Sequence, residues 1–124
     1  MSGTEAHGGH VVLDYTGYSS PMEDDGVWML QVLRRCVKRA GVKEVHSHVE
    51  QFDGTDSPPG YAAVVLIDES HVSAHCYSVR GLLAIDIFTC GGSDPSALAD
   101  DIHREVYEAL PGIEWTGRKM LDRF

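Results

Sequence analysis

The chain has 124 residues, 43% of them hydrophobic, which is enough for one globular domain with a real core. Its formal net charge of -9 argues against nucleic acid as a partner and would mildly attract a cationic substrate, but the plainer reading, a soluble acidic surface, takes precedence. No apolar run approaches the length of a membrane span, the polar N-terminus is no signal peptide, and Cys36, Cys76 and Cys90 form no zinc pattern, so a cytoplasmic protein without membrane contact is expected.

In chain order, Met1 to Gly8 is rich in Gly and His and predicts no ordered structure. His10 to Tyr15 reads as a strand, and Gly17 to Pro21 as a loop of turn residues. Asp24 or Asp25 can cap a helix that runs to Ala40, with Val27, Leu30, Leu33 and Val37 on one face and Gly41 ending it. Glu44 to Phe52 predicts a second strand, and Asp53 to Gly60, with two prolines, a loop. Strands follow at Tyr61 to Ile67, Val72 to Tyr77 and Leu82 to Phe88. Asp94-Pro95 opens a second helix with an apolar stripe of Leu98, Ile102, Val106 and Leu110, which Pro111-Gly112 stops. A short strand, Ile113 to Arg118, closes the order. The whole predicts a single α+β domain: a two-layer sandwich with an antiparallel sheet and both helices on one face.

The chemistry concentrates in Asp68-Glu69-Ser70-His71, then His75, then Phe88-Thr89-Cys90-Gly91-Gly92. A hydroxyl, an imidazole and a thiol lie on adjacent short segments, and each can serve as nucleophile, base or acid. Taken singly these residues have plainer readings. A serine after a glutamate is commonly a turn residue. His71 and His75, four apart on a strand, share a face with Ser73 and can be a surface or structural pair. Cys36, on a helix, reads as a buried hydrophobe, and Cys76 points opposite His75. His46, His48, His71 and His75 supply imidazoles, but no metal-ligand spacing accompanies them, so no metal is expected.

Together, Glu69-Ser70-His71 with Ser73, His75, Gly81, Asp86 and Phe88-Thr89-Cys90-Gly91 resembles the bacterial S-adenosylmethionine decarboxylase family of self-processing proenzymes, as does Gly9-His10-Val11-Val12-Leu13-Asp14-Tyr15 more weakly. The likeness runs from about Gly9 to about Arg118. It implies self-cleavage between Glu69 and Ser70, giving a β chain of 1–69 and an α chain of 70–124. Ser70 would become a pyruvoyl group, the only cofactor, whose carbonyl forms a Schiff base with an amino-acid substrate and acts as an electron sink. His75 would move protons during processing, and Cys90 would protonate the substrate carbon after loss of carbon dioxide. Phe52 is either an aromatic that stacks on the substrate or a core residue. Tyr77 lies where other substrate contacts are expected. The resemblance also implies a homodimer of processed protomers, and products that feed polyamine synthesis.

Two departures bear on function. The family's usual processing serine, eight residues before the cleavage serine, is Ala62 here, with Tyr61 and Ser73 as substitute hydroxyls. The glutamate that would hold ribose hydroxyls is Val79 here, which points to a smaller basic amino acid, arginine or ornithine, as an alternative to S-adenosylmethionine. Arg80 is a candidate for a substrate carboxylate or simply a solvated cation. A chain that no longer cleaves, and instead binds or regulates a partner, is the rival reading, and Ala62 is the residue that favours it.

Overall fold

A computed structural model describes residues 8–124, so the reading of the first seven as unordered lies outside the described residues; Gly8 itself belongs to a strand. The chain order is β1 (Gly8–Thr16), α1 (Asp25–Arg39), β2 (Glu44–Phe52), β3 (Gly60–Ile67), β4 (Ser70–Tyr77), β5 (Leu82–Cys90), α2 (Pro95–Ala109) and β6 (Glu114–Arg123). The six strands form one antiparallel sheet in the order β2-β3-β4-β5-β1-β6. Both helices cover one face, as expected for the two-layer α+β sandwich.

Period-2 alternation builds this arrangement. Val11, Leu13, Tyr15, Tyr61, Ala63, Val65, Val72, Ala74, Leu83, Ile85 and Ile87 point to the helices and are buried. The residues between them form a second, open face. Helix α1 packs over β2 and β3, and α2 over β1 and β5. The buried side of α1 is Met29, Leu30, Val32, Leu33, Cys36 and Val37; Val27, expected on that side, is 48% exposed. The α1 stripe is therefore rotated by about one residue, because Met29 and Val32 take the centre of the contact. Helix α2 uses the expected residues Leu98, Ile102 and Val106, with Leu110 at its end, and the Asp94 carboxylate caps it by accepting from the Ser96 amide at 2.9 Å. Between the helices, Arg35 and Arg39 bridge to Glu105, and Arg39 also to Asp101.

Several strands outrun their sequence-read bounds. β4 begins at Ser70 and β5 ends at Cys90, so both residues belong to the sheet rather than to loops. β6 runs to Arg123, five residues beyond the predicted end, because it pairs with the whole of β1.

Candidate active site on the open face

β3 and β4 are joined by Asp68 and Glu69 alone, with Ile67 opposite Ser70. Glu69 has φ 65°, the left-handed conformation that such a turn usually gives to glycine. The turn is tied on both sides: the Asp68 amide donates to the Lys43 carbonyl at 3.2 Å, and the Cys90 amide donates to Ser70 Oγ at 3.1 Å. Ser70 and Cys90, twenty residues apart, are thus brought together. Cys90 is half-buried at the end of β5. Ser70 also borders a cavity of about 490 Å³ on the helix side, shared with Ile67, Thr89 and Asp94.

Next to this end of the open face lies a polar and aromatic group on three neighbouring strands. His10 (β1) stands opposite Phe88 (β5), and Phe88 opposite His71 (β4). The His71 ring stacks on Phe88 with centroids 5.4 Å apart, and His10 meets Phe88 edge-on. His10 Nε2 lies 3.1 Å from Asp86 Oδ1. Burial, then the neighbouring His10, pushes the His71 imidazole below its ordinary pKa, and Asp86 opposes the shift. The His10–Asp86 pair is a feature that the sequence reading left without a role. Its signal was present, since His10 and Asp86 both fall on the outward parity of their strands, but strand pairing was needed to join them.

His75 is elsewhere. It faces the same side as His71 and Ser73, as expected, but sits five residues along β4 from Ser70, about 16 Å at the usual rise. Its cross-strand partner is Ala62, so the place of the missing hydroxyl is directly beside it. Of the two substitute hydroxyls, Ser73 shares the open face, whereas Tyr61 is in the core on the opposite side, donating to the Tyr18 hydroxyl at 3.1 Å. Tyr61 therefore does not reach the face that His75 and Ser73 share.

Phe52 and Tyr77 flank β3 at this far end. Each stands opposite Gly60, one from β2 and one from β4, and the glycine leaves space between two rings. Gly60 is required there, because an added Cβ would lie 1.8 Å from the Cys76 carbonyl oxygen. Val79 and Arg80 lie in the β4–β5 turn, with Val79 79% exposed. Cys36 and Cys76 are buried, and burial pushes both thiols up to about 12, so each stays protonated and inert. Among the described residues no cluster of His, Cys, Asp or Glu could hold a metal ion, and no helix is long and apolar enough to cross a membrane.

The family model of S-adenosylmethionine decarboxylase matches residues 9–109. A S-adenosylmethionine decarboxylase proenzyme of Persephonella marina is 36% identical over 85 residues, which are 68% of this chain and 61% of that protein, so the match spans about three fifths of that relative's length. The proenzyme of Thermoplasma volcanium is 32% identical over 112 residues, 90% of this chain and 81% of that one. The crystal structure of the adenosylmethionine decarboxylase from Aquifex aeolicus superposes with a TM-score of 0.72 at 25% identity, covering 97% of this chain and 92% of the other. The chain belongs to the S-adenosylmethionine decarboxylase family.

Proposed function

We propose that this chain is a self-processing, pyruvoyl-dependent amino-acid decarboxylase, cut between Glu69 and Ser70. The observation that carries the reading is the Ser70 hydroxyl, which follows a left-handed glutamate and is held in place by the Cys90 amide. Accepting that bond leaves the hydroxyl free to lose its proton as Oγ attacks the Glu69 carbonyl. The residues fit a group made in place: the turn is at the sheet's end, where the two new chain ends can part, and the adjoining cavity gives water a route to Ser70. The pyruvoyl carbonyl supplies an electron sink for loss of a carboxylate. Cys90, on the strand beside Ser70, is the proton donor to the substrate carbon.

His75 is too far along β4 to serve the Ser70 of its own chain. A second copy resolves this. Two sheets packed open face to open face, with strands running in opposite senses, lay the Ser70–Cys90 end of one copy over the His75–Tyr77–Phe52 end of the other. Each such homodimer would hold two equivalent sites. The exposed apolar side chains of this face, such as Leu66 at 43%, favour its being covered. The space over Gly60 between Phe52 and Tyr77 suits a flat or extended substrate group.

The substrate is S-adenosylmethionine or a smaller basic amino acid, arginine or ornithine, and either product would enter polyamine synthesis. The relatives' names favour the first, and Val79 the second. Intact mass spectrometry and carbon dioxide release from each candidate test the proposal. Fragments 1–69 and 70–124, the second with a pyruvoyl N-terminus, are expected. A chain that stays whole after long incubation, with no carbonyl reactive towards hydroxylamine, overturns it and leaves the second reading, a non-cleaving family-like subunit. Ala62 opposite His75 is the observation on that side.

A further inference from the structure

We infer that the backbone of Glu69 is a positioning element for self-cleavage: the turn holds this residue in a strained conformation that relaxes as the Glu69–Ser70 bond breaks. The inference rests on the reading of Ser70 as the processed residue.

Apart from the last residue, Glu69 is the one non-glycine among the described residues with positive φ. Seven glycines supply the other such positions, so the chain elsewhere places the residue suited to that conformation. At Glu69 it does not. A Cβ in the left-handed region crowds the following carbonyl oxygen, and that carbonyl is the group Ser70 must attack. A loop of two residues between paired strands leaves little choice of dihedrals. The two ties, Asp68 to Lys43 and Ser70 to Cys90, stop the turn from shifting to escape the conformation. Strain persists only where surrounding structure imposes it, and here the imposing contacts are visible.

The chemistry offers a release. Ser70 Oγ forms a bond to the Glu69 carbonyl carbon, the C–N bond breaks, and the nitrogen gains the proton that the hydroxyl loses. The connection from that carbon to Ser70 Cα then runs through oxygen and Cβ instead of nitrogen alone. It is one atom longer, so the turn loosens. Elimination removes the Ser70 Cα proton and breaks the Cβ–O bond, freeing Glu69 as a carboxylate. Water then replaces the residual nitrogen, which leaves as ammonia, and the constraint on Glu69 is gone. Strain present in the precursor and absent later raises the precursor's free energy relative to the ester.

Three variants separate backbone strain from the carboxylate. Glu69→Gly removes the crowding. Glu69→Asn lowers it, because asparagine tolerates the left-handed region. Glu69→Gln keeps the strain and removes the charge. Processing is followed by mass spectrometry of the full chain against time, alongside thermal midpoints of uncleaved protein in a Ser70→Ala background. The expected order of rates is Gln faster than Asn and Asn faster than Gly, with Gly about fivefold or more slower than wild type, as release of ordinary left-handed strain implies. In the uncleaved background, Gly and Asn should melt no lower than the parent. Glycine cleaving at the wild-type rate overturns the inference. So does glutamine slowing as much as asparagine, which would assign the effect to the carboxylate. A wild-type chain that never cleaves fails the underlying function instead, so the two failures are distinguishable.

Discussion

At the scale of single residues, the proposed site has two separate parts, at opposite ends of β4. Ser70 and Cys90 meet through a backbone hydrogen bond at one end, and His75 stands beside Ala62 at the other. The roles proposed for them predict different losses. Cys90→Ala should still process but lose most decarboxylation, measured as carbon dioxide released per pyruvoyl group, because the carbanion has no placed acid. Wild-type turnover by that variant would remove the thiol from the mechanism. His75→Ala should stall before the pyruvoyl forms, with an ester that hydroxylamine cleaves as the expected species. Val79 bears on substrate. Its position in an exposed turn means that a new carboxylate there is accommodated without a folding cost, so Val79→Glu should express normally. It should raise the preference for S-adenosylmethionine over ornithine if this position sets the choice. An unchanged ratio of the two rates would place ribose recognition elsewhere.

At the scale of elements, the two helices hold the sheet that carries the site. Ile102 of α2 is fully buried, so Ile102→Ala should cost about 2–5 kcal/mol in chemical denaturation of the uncleaved Ser70→Ala chain. Asp94→Ala, which removes the α2 cap, should cost about 1 kcal/mol. Helix α2 also contributes a titrating contact. His103 Nδ1 lies 2.7 Å from the Tyr15 hydroxyl, in a group of rings with Tyr107 and Trp115. Burial raises the Tyr15 pKa, so the phenol keeps its proton and is the donor to a neutral imidazole. Burial, then Arg118, lowers the His103 pKa, and Asp100 opposes the shift. A depressed folded-state pKa means that the unfolded chain binds the proton more readily. The stabilisation is complete above the ordinary histidine value, about 6.5, and is lost as pH falls below it. The denaturation midpoint should therefore drop between neutral pH and mild acid. His103→Gln, which keeps an acceptor for Tyr15 but cannot titrate, should flatten that dependence in part, with the remainder from His71, whose pKa is also depressed. An equally steep profile in the variant would exclude His103 as a contributor.

At the scale of the whole molecule, the proposed homodimer brings His75 of one copy to Ser70 of the other, since the two lie about 16 Å apart along β4 of a single chain. A chain carrying Ser70→Ala and a chain carrying His75→Ala should each be inactive alone. Co-expressed, they should recover about a quarter of the wild-type sites, because half of randomly paired dimers are mixed and each mixed dimer rebuilds one of its two sites. Recovery is read as pyruvoyl content by mass spectrometry. No recovery, from proteins that elute as mixed dimers, would mean that the site is completed within one chain. Leu66→Asp, a charge placed on the open face, should shift the protein to the monomer in gel filtration and abolish processing with it.

Much of this was legible in the sequence. Strand and helix order, the number of layers and the common face of His71, Ser73 and His75 follow from local periodicity. Periodicity survives because each strand has one buried face and each helix one buried stripe. The reactive residue types were legible too, as a spaced set that resembles one family. Other features depended on long-range pairing. β6 extends to Arg123 because β1 offers it a full-length partner, and nothing local in residues 119–123 marks a strand. Val27 lost its place in the core to Met29 and Val32, since helix rotation is set by what the sheet presents. Tyr61 reads as a spare hydroxyl until parity turns it into the core. The left-handed Glu69 is invisible in composition, because a glutamate in a turn names no dihedral angle; only closure of the β3–β4 register forces it. The sequence by itself put His75 on an extended strand from Val72 to Tyr77. Only tertiary pairing carried that strand back to Ser70, because the Ser70 and Ile67 backbones pair across the turn, and so set the two residues about 16 Å apart.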